Sequence, residues 1–186
     1  GGYRYLEGRW EKVAHAIAEH YPLPAKPKIL DIGCGKGFLL YDFLKVLPNA
    51  EIYGIDSSNY ALDNSKEEIR SQLTLGNSTS LPWPDNYFDF VYTNSLDQSY
   101  DPKLALTVWL DQVITGGFII IEHSDQHGVI SSGKMDPFGV EANFFPYLLS
   151  EWFGHLISIQ IIKGSKINKN NAPVFLFVLK KNIQEN

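Results

Sequence analysis

Lys28-Ile29-Leu30-Asp31-Ile32-Gly33-Cys34-Gly35-Lys36-Gly37-Phe38 is the stretch from which the rest of the chain is read. Ile29, Leu30 and Ile32 form an apolar run of buried-strand length, and the glycines after it mark a tight turn opening a helix. A side chain in that turn would hold a ligand away from the backbone. The unpaired N–H groups of the next helix's first turn face whatever binds. The predicted unit is a strand–loop–helix crevice for a nucleotide-like ligand.

Spacing and charge narrow that ligand. Position 38 is Phe, so the Gly-x-Gly-x-x-Gly spacing of a dinucleotide fingerprint fails, and Asp31 at the strand end would repel a pyrophosphate. Gly37 follows Lys36 where a P-loop requires Ser or Thr. A ligand carrying an ammonium and a sulfonium group tolerates the carboxylate or uses it. The run from Asp31 to Gly37 closely resembles the first motif of class I S-adenosylmethionine-dependent methyltransferases.

Upstream, Trp10, Val13, Ala14, Ile17, Ala18 and Tyr21 recur at helical spacing from about Glu7 to Tyr21, and Pro22 and Pro24 stop that helix. The aromatic, basic segment before it (Tyr3, Arg4, Tyr5, Arg9) reads either as packing on the core edge or as a lid over the cofactor. Downstream, Phe38 to Leu47 is apolar nearly all round, as a helix packed on a sheet is. Glu51 to Asp56 is a second strand whose terminal carboxylate lies about 20 residues beyond the glycines, where an acid reaches ribose hydroxyls in such folds. Asp56 also reads as a cap of the following helix, as do Ser57 and Ser58. That helix is predicted from Tyr60 to about Leu73, with Leu62, Ile69 and Leu73 inward.

The segment from Leu75 through Pro82-Trp83-Pro84-Asp85-Asn86 to Tyr92 resembles, nearly residue for residue, the family's third-strand segment and its approach to the fourth strand. Where the family usually carries an acid that bonds the adenine amino group, this chain has Asn77, which offers an amide oxygen without the charge. A fourth strand, Phe90 to Ser95, is predicted next. Asp101 then caps a helix that starts at Pro102 and turns Leu104, Ala105, Val108, Trp109 and Val113 inward. Gly116-Gly117 leads to a fifth strand, Phe118 to Ile121. The resemblance covers roughly residues 28 to 122.

Beyond Glu122 the pattern loosens into a long connection after a parallel strand's C-terminal end, where ligand sites sit. A short helix ends near Trp152. Ile157 to Ile162 and Val174 to Leu179 read as two strands joined by a polar turn with Gly164 and Asn168 to Asn171.

The 186 residues fit one domain, and 44% hydrophobic with 20% charged residues is ordinary for a globular chain. A net charge of −5 gives no global basic field for nucleic acid or an anionic membrane. The lysines at 163, 166, 169, 180 and 181 read as a solvated hairpin tip. One cysteine excludes internal disulfides and cysteine-rich zinc sites. With no signal peptide or membrane-spanning run, a cytoplasmic location is expected.

What the resemblance implies is an α/β fold: a doubly wound, mostly parallel sheet of about seven strands with a C-terminal antiparallel pair. A single domain is expected, with residues 1–21 as N-terminal helix and possible lid, 28–122 as cofactor-binding core, 123–155 on the acceptor side and 156–181 as the closing strands. The implied cofactor is S-adenosylmethionine. Asp31, Gly33, Cys34 and Gly35 would hold its amino-acid end, Asp56 its ribose, and Ser57, Asn77 and Ser78 its adenine, with Asn94 near the methyl group. The implied activity is methyl transfer to a small-molecule acceptor. The Asn-Pro-Pro-Tyr-type motif of base and glutamine amino-group methylases is missing from Thr93-Asn94-Ser95-Leu96, and Cys34 sits in the cofactor loop instead of beside a proline. Rival readings are a nicotinamide-dependent oxidoreductase, another S-adenosylmethionine-derived transfer, and a non-catalytic S-adenosylmethionine-binding module. His123, just past the fifth strand, is expected to face the acceptor as general base; alternatively it hydrogen-bonds loop backbone. His123, Asp125 and His127 also admit a metal reading, but the alternating spacing on a loop is poor and no metal is expected. Asp97 and Tyr100 follow as further acceptor-side candidates.

Overall fold

Residues 4–167 and 173–183 are described by the computed structural model. The apolar runs form strands whose side chains alternate between two covered faces, as parallel sheets require. Strands β1 (Lys28–Ile32), β2 (Glu51–Asp56), β3 (Leu73–Leu75), β4 (Phe88–Thr93) and β5 (Val113–Ser124) pair in parallel. Then β6 (Ile157–Ile167) and β7 (Pro173–Lys181) close the sheet antiparallel, with β7 against β5 and β6 outermost. The sheet order among the described residues is β3-β2-β1-β4-β5-β7-β6. The direction of winding therefore reverses between β1 and β4, which opens a crevice at their C-terminal ends. The fold class expected from the sequence stands, including the closing antiparallel pair.

Helix α1 (Glu11–His20) and helix α2 (Phe38–Val46) cover one face, where Ala14, Ile17, Leu40 and Phe43 pack on Ile29, Phe90, Tyr92 and Ile120. The short α3 (Asn59–Asp63) follows β2. On the other face lie α4 (Pro102–Gln112) and α5 (Phe145–Phe153), whose Leu106, Trp109, Phe145 and Leu149 meet Leu30, Val91, Ile119 and Phe177. Among the described residues no helix is long and apolar enough to cross a membrane.

Four local expectations change. The single helix predicted from Tyr60 to Leu73 is instead α3 followed by a 3-10 turn, Glu67–Gln72, and Leu73 already starts β3. The Ser65 hydroxyl donates to the Leu62 carbonyl at 2.6 Å, a side-chain bond that closes the helix early. Leu104 is exposed, whereas Leu106 and Leu110 are buried. The fifth strand is longer at both ends than Phe118 to Ile121. Lys181 is not part of a solvated tip. Its Nζ donates to the Leu110 and Val113 carbonyls at 2.8 Å each, satisfying backbone acceptors at the end of α4. Asn168 to Asn171, Lys169 and Tyr3 lie outside the described residues, and the side chains of Asp125 and Lys166 are outside them too.

Candidate active site

The glycine loop is built from left-handed backbone: Gly33, Gly35 and Gly37 have φ of 72°, 56° and 70°. At Gly33 two constraints coincide, because a Cβ there would also collide with the Ser95 side chain. At Gly35 a Cβ would meet no atom within 4 Å, so the residue's open side is space and not protein. The loop is tied down from β2: Gly33 and Cys34 N–H donate to the Ile55 carbonyl at 2.9 and 3.1 Å, and Gly35 N–H donates to Asp56 Oδ2 at 2.7 Å.

Asp56 joins the two readings the sequence left open. Its Oδ1 accepts the Ser58 N–H at 2.8 Å, and Ser58 Oγ in turn caps α3 by accepting from Ala61 N–H at 3.2 Å. The half-buried carboxylate thus braces the glycine loop and the helix start while still lining the crevice. Thr93, at the end of β4, donates to the Ile32 carbonyl at 2.9 Å and locks the strand ends together.

Two adjoining cavities open at this switch point, of about 560 and 610 Å³. Gly33, Asp56, Ser95 and Gln98 belong to both walls. Asp31, Cys34, Gly35, Tyr92 and Asn94 line the first, and Ser57, Asn77 and Ser78 line the second. Every residue expected at the cofactor therefore borders one of these spaces.

Asp31 is 4% exposed, and its carboxyl is pushed up to about 8 by burial, with the Asp56 charge adding to the effect. A carboxyl so placed keeps its proton near neutral pH. Tyr92 is buried beside it and donates to Glu122 Oε2 at 2.7 Å; burial first, then the Glu122 charge, raises the phenol well above its ordinary value. Burial likewise pushes the Cys34 thiol up, so it is not a nucleophile. At the second cavity, Asn77 Oδ1 accepts from both the N–H and the hydroxyl of Thr79 at 3.0 Å, which commits that oxygen to a local turn. Trp109 Nε1–H donates to the Ser78 carbonyl at 2.7 Å and anchors the same loop to α4.

His123 does not face the crevice. It is 6% exposed and lines neither cavity; its Nε2 lies 2.8 Å from the Val140 carbonyl, among Phe145 and Phe177. The reason is alternation: β5 runs on to Ser124, so His123 still points into the sheet's packed face. The alternative of a bond to loop backbone describes its position. His127 lines the first cavity instead, with Asp97 and Asp136. It was named in the sequence only within the metal pattern, and nothing in its spacing separated it from His123. Among the described residues no group of three His, Cys, Asp or Glu could hold a metal ion.

The N-terminal segment is docked along α2. Tyr5 OH donates to Asp42 Oδ1 at 2.5 Å and Trp10 N–H to Asp42 Oδ2 at 3.1 Å. Trp10 also lines the first cavity, so the segment packs on the core and borders the crevice.

A protein family described as "methyltransferase domain" matches residues 25–164. An uncharacterized methyltransferase of Schizosaccharomyces pombe is 33% identical over 111 residues, which is 53% of this chain and 40% of that protein. A demethylmenaquinone methyltransferase of Symbiobacterium thermophilum is 34% identical over 92 residues, 45% of this chain and 37% of that protein. The chain spans about two fifths of the length of these relatives. A ribosomal RNA large subunit methyltransferase G of Aliivibrio salmonicida is 30% identical over 94 residues, 50% of this chain and 22% of that protein. The crystal structure of a SAM-dependent methyltransferase from Aquifex aeolicus superposes with a TM-score of 0.71 at 16% identity, covering 94% of this chain and 93% of that one, which shows a common fold.

Proposed function

Because this chain belongs to the methyltransferase-domain family, whose cofactor is S-adenosylmethionine, we propose that it transfers a methyl group from that cofactor to a small-molecule acceptor. The observation that carries the reading is the pair of adjoining cavities at the switch point, sharing Gly33 and Asp56. The first suits a cationic amino-acid end and the second a nucleoside end.

The residues present fit the cofactor on two counts. A buried, protonated Asp31 regains its charge beside an ammonium group. Gly35, on the cavity wall in left-handed backbone, has nothing within 4 Å of where a Cβ would stand, so its backbone is open to a ligand. When bound, the cofactor supplies a methyl group already activated by its sulfonium. Asp31 with Gly33, Cys34 and Gly35 would hold the amino-acid end, and Asp56 would take ribose hydroxyls with lone pairs its two backbone bonds leave over. Ser57, Asn77 and Ser78 border the adenine. Asn94, on the same wall, would stand near the methyl group, and Trp10 and Tyr92 would help exclude water while the acceptor is aligned. Residues 28–122 form the cofactor half, and 123–155 carry the acceptor side.

The small acceptor is supported by the chain's own charge: a net −5, and carboxylates from Asp56, Asp97 and Asp136 on the cavity wall, disfavour a polyanion. The relatives' names span a quinone and ribosomal RNA, so they do not choose between acceptor classes. The test is calorimetric titration with S-adenosylhomocysteine and with NAD, followed by a product assay against small acceptors and RNA. Binding of the first ligand alone, and turnover with a small acceptor, is expected. Binding of NAD alone, or turnover on RNA alone, would overturn the reading.

A further inference from the structure

The connections after β4 and β5 meet at the mouth of the first cavity. Asp97, in the 3-10 turn Leu96–Gln98, is buried, and its Oδ2 lies 2.7 Å from His127 Nδ1. Backbone bonds fix both residues: Phe138 N–H donates to the Asp97 carbonyl at 3.0 Å, and Val140 N–H to the His127 carbonyl at 2.9 Å. The same Val140 receives His123 through its carbonyl, so the buried histidine holds the loop segment that holds the half-buried one. With Nδ1–H donated to Asp97, a neutral His127 ring keeps Nε2 as its proton acceptor.

We propose that His127, oriented by Asp97 as a positioning residue, takes the proton from an uncharged or cationic acceptor whose hydroxyl or amine is methylated. The proposal rests on the methyl-transfer reading above. In that step the acceptor's lone pair forms the bond to the methyl carbon, the carbon–sulfur pair leaves with sulfur to give S-adenosylhomocysteine, and the acceptor's proton goes to His127 Nε2.

Charge selects the acceptor class. Lys36 is the one lysine on the described wall of this cavity, and its Nζ lies 5.2 Å from the centre of the Tyr60 ring. The chain's three arginines are Arg4, Arg9 and Arg70, and none lines the cavity. A polycarboxylate would therefore find no guanidinium fork and would meet Asp97 and Asp136. Among the described residues, the groups that act on His127 are Asp97, Asp136 and Glu122, with the His123 ring at 6.0 Å. The Asp97 hydrogen bond, ahead of opposing burial and the other carboxylates, raises the imidazole above its ordinary value. The base form is thus populated as pH rises through a value above 6.5, and turnover rises with it.

The experiment has two arms on the full chain. By NMR in the S-adenosylhomocysteine complex, the His127 ring, assigned with His127→Asn, is expected to titrate above the ordinary histidine range and to fall in Asp97→Asn. In turnover assays with a phenol, a primary alkylamine and trans-aconitate, product is expected from the phenol or the amine only. His127→Asn is expected to lower kcat about 100-fold or more, with S-adenosylhomocysteine affinity unchanged within twofold. Asp97→Asn is expected to move the acid limb of the pH profile to lower pH. Ordinary titration of His127, unchanged kcat in His127→Asn, turnover with trans-aconitate alone, or no turnover with any acceptor would each overturn the proposal. Loss of S-adenosylhomocysteine binding in the unaltered chain would instead overturn the cofactor reading beneath it.

Discussion

Asp31→Asn is expected to make the empty protein more stable and the cofactor complex weaker, and both effects follow from one buried carboxyl. In the unfolded chain Asp31 titrates at its ordinary 3.8; folded, burial pushes it up to about 8. Below pH 3.8 both states are protonated and the group contributes nothing. Between 3.8 and 8 the unfolded chain gives up a proton that the folded chain keeps, so stability falls as pH rises and levels off above 8. At pH 7 about 3 pH units of that window have passed, at ~1.4 kcal/mol each, so the carboxyl costs the empty fold about 4 kcal/mol. The substitution removes this dependence but buries an amide, which gives back roughly 1–3 kcal/mol. A net gain of about 1–3 kcal/mol at pH 7 should therefore appear in urea denaturation, largest at pH 8 and turning into a net loss of roughly 1–2 kcal/mol at pH 4, where only the cost of the buried amide remains. Calorimetry with S-adenosylhomocysteine in buffers of different ionisation enthalpy supplies the other half. The unaltered protein should release close to one proton on binding at pH 6–7, because the ligand's ammonium restores the carboxylate, whereas Asp31→Asn should release none and bind more weakly. A stability gain that does not grow with pH, or equal proton release in both proteins, would mean that Asp31 is already ionised in the empty cavity.

Further expectations can be checked on purified protein. Asp56→Ala should weaken S-adenosylhomocysteine binding by about 1.5–3 kcal/mol and also lower stability, since Gly35 and Ser58 N–H lose their acceptor; unchanged calorimetric affinity would leave Asp56 a brace only. Asn77→Asp should bind at least as well as the unaltered chain, as judged by the same titration. Amide-exchange protection of residues 4–10 should increase with cofactor, because Trp10 walls the cavity and closure serves to exclude water; equal protection would count against a lid.

The part of the molecule legible in the sequence is the part governed by local rules. Ile29 to Ile32 read as a buried strand, the glycine loop needs backbone that side chains forbid, and Asp101-Pro102 opens a helix, where Asp101 Oδ1 accepts from Leu104 N–H at 2.9 Å. Those signals set the order of elements, and with them the crevice and the residues that border it. Near Ser65 the sequence misled because a single side-chain bond competes with the helix, and helical periodicity carries no trace of it. On the far side of the cavity the sequence singled out Asp97, which lines it, but not the histidine that pairs with it. His123 and His127 are four residues apart with like neighbours, and only the extent of β5 and its register against β7 decide which ring is buried. Asp97 and His127 come from connections after different strands, and no spacing in the chain encodes their 2.7 Å approach. The raised carboxyl of Asp31 likewise arises from layers packed over it and from Asp56 on the neighbouring strand. Strand and turn identity follow from each residue's own backbone preferences, whereas proton affinity and side-chain pairing depend on what the rest of the chain brings within a few ångströms.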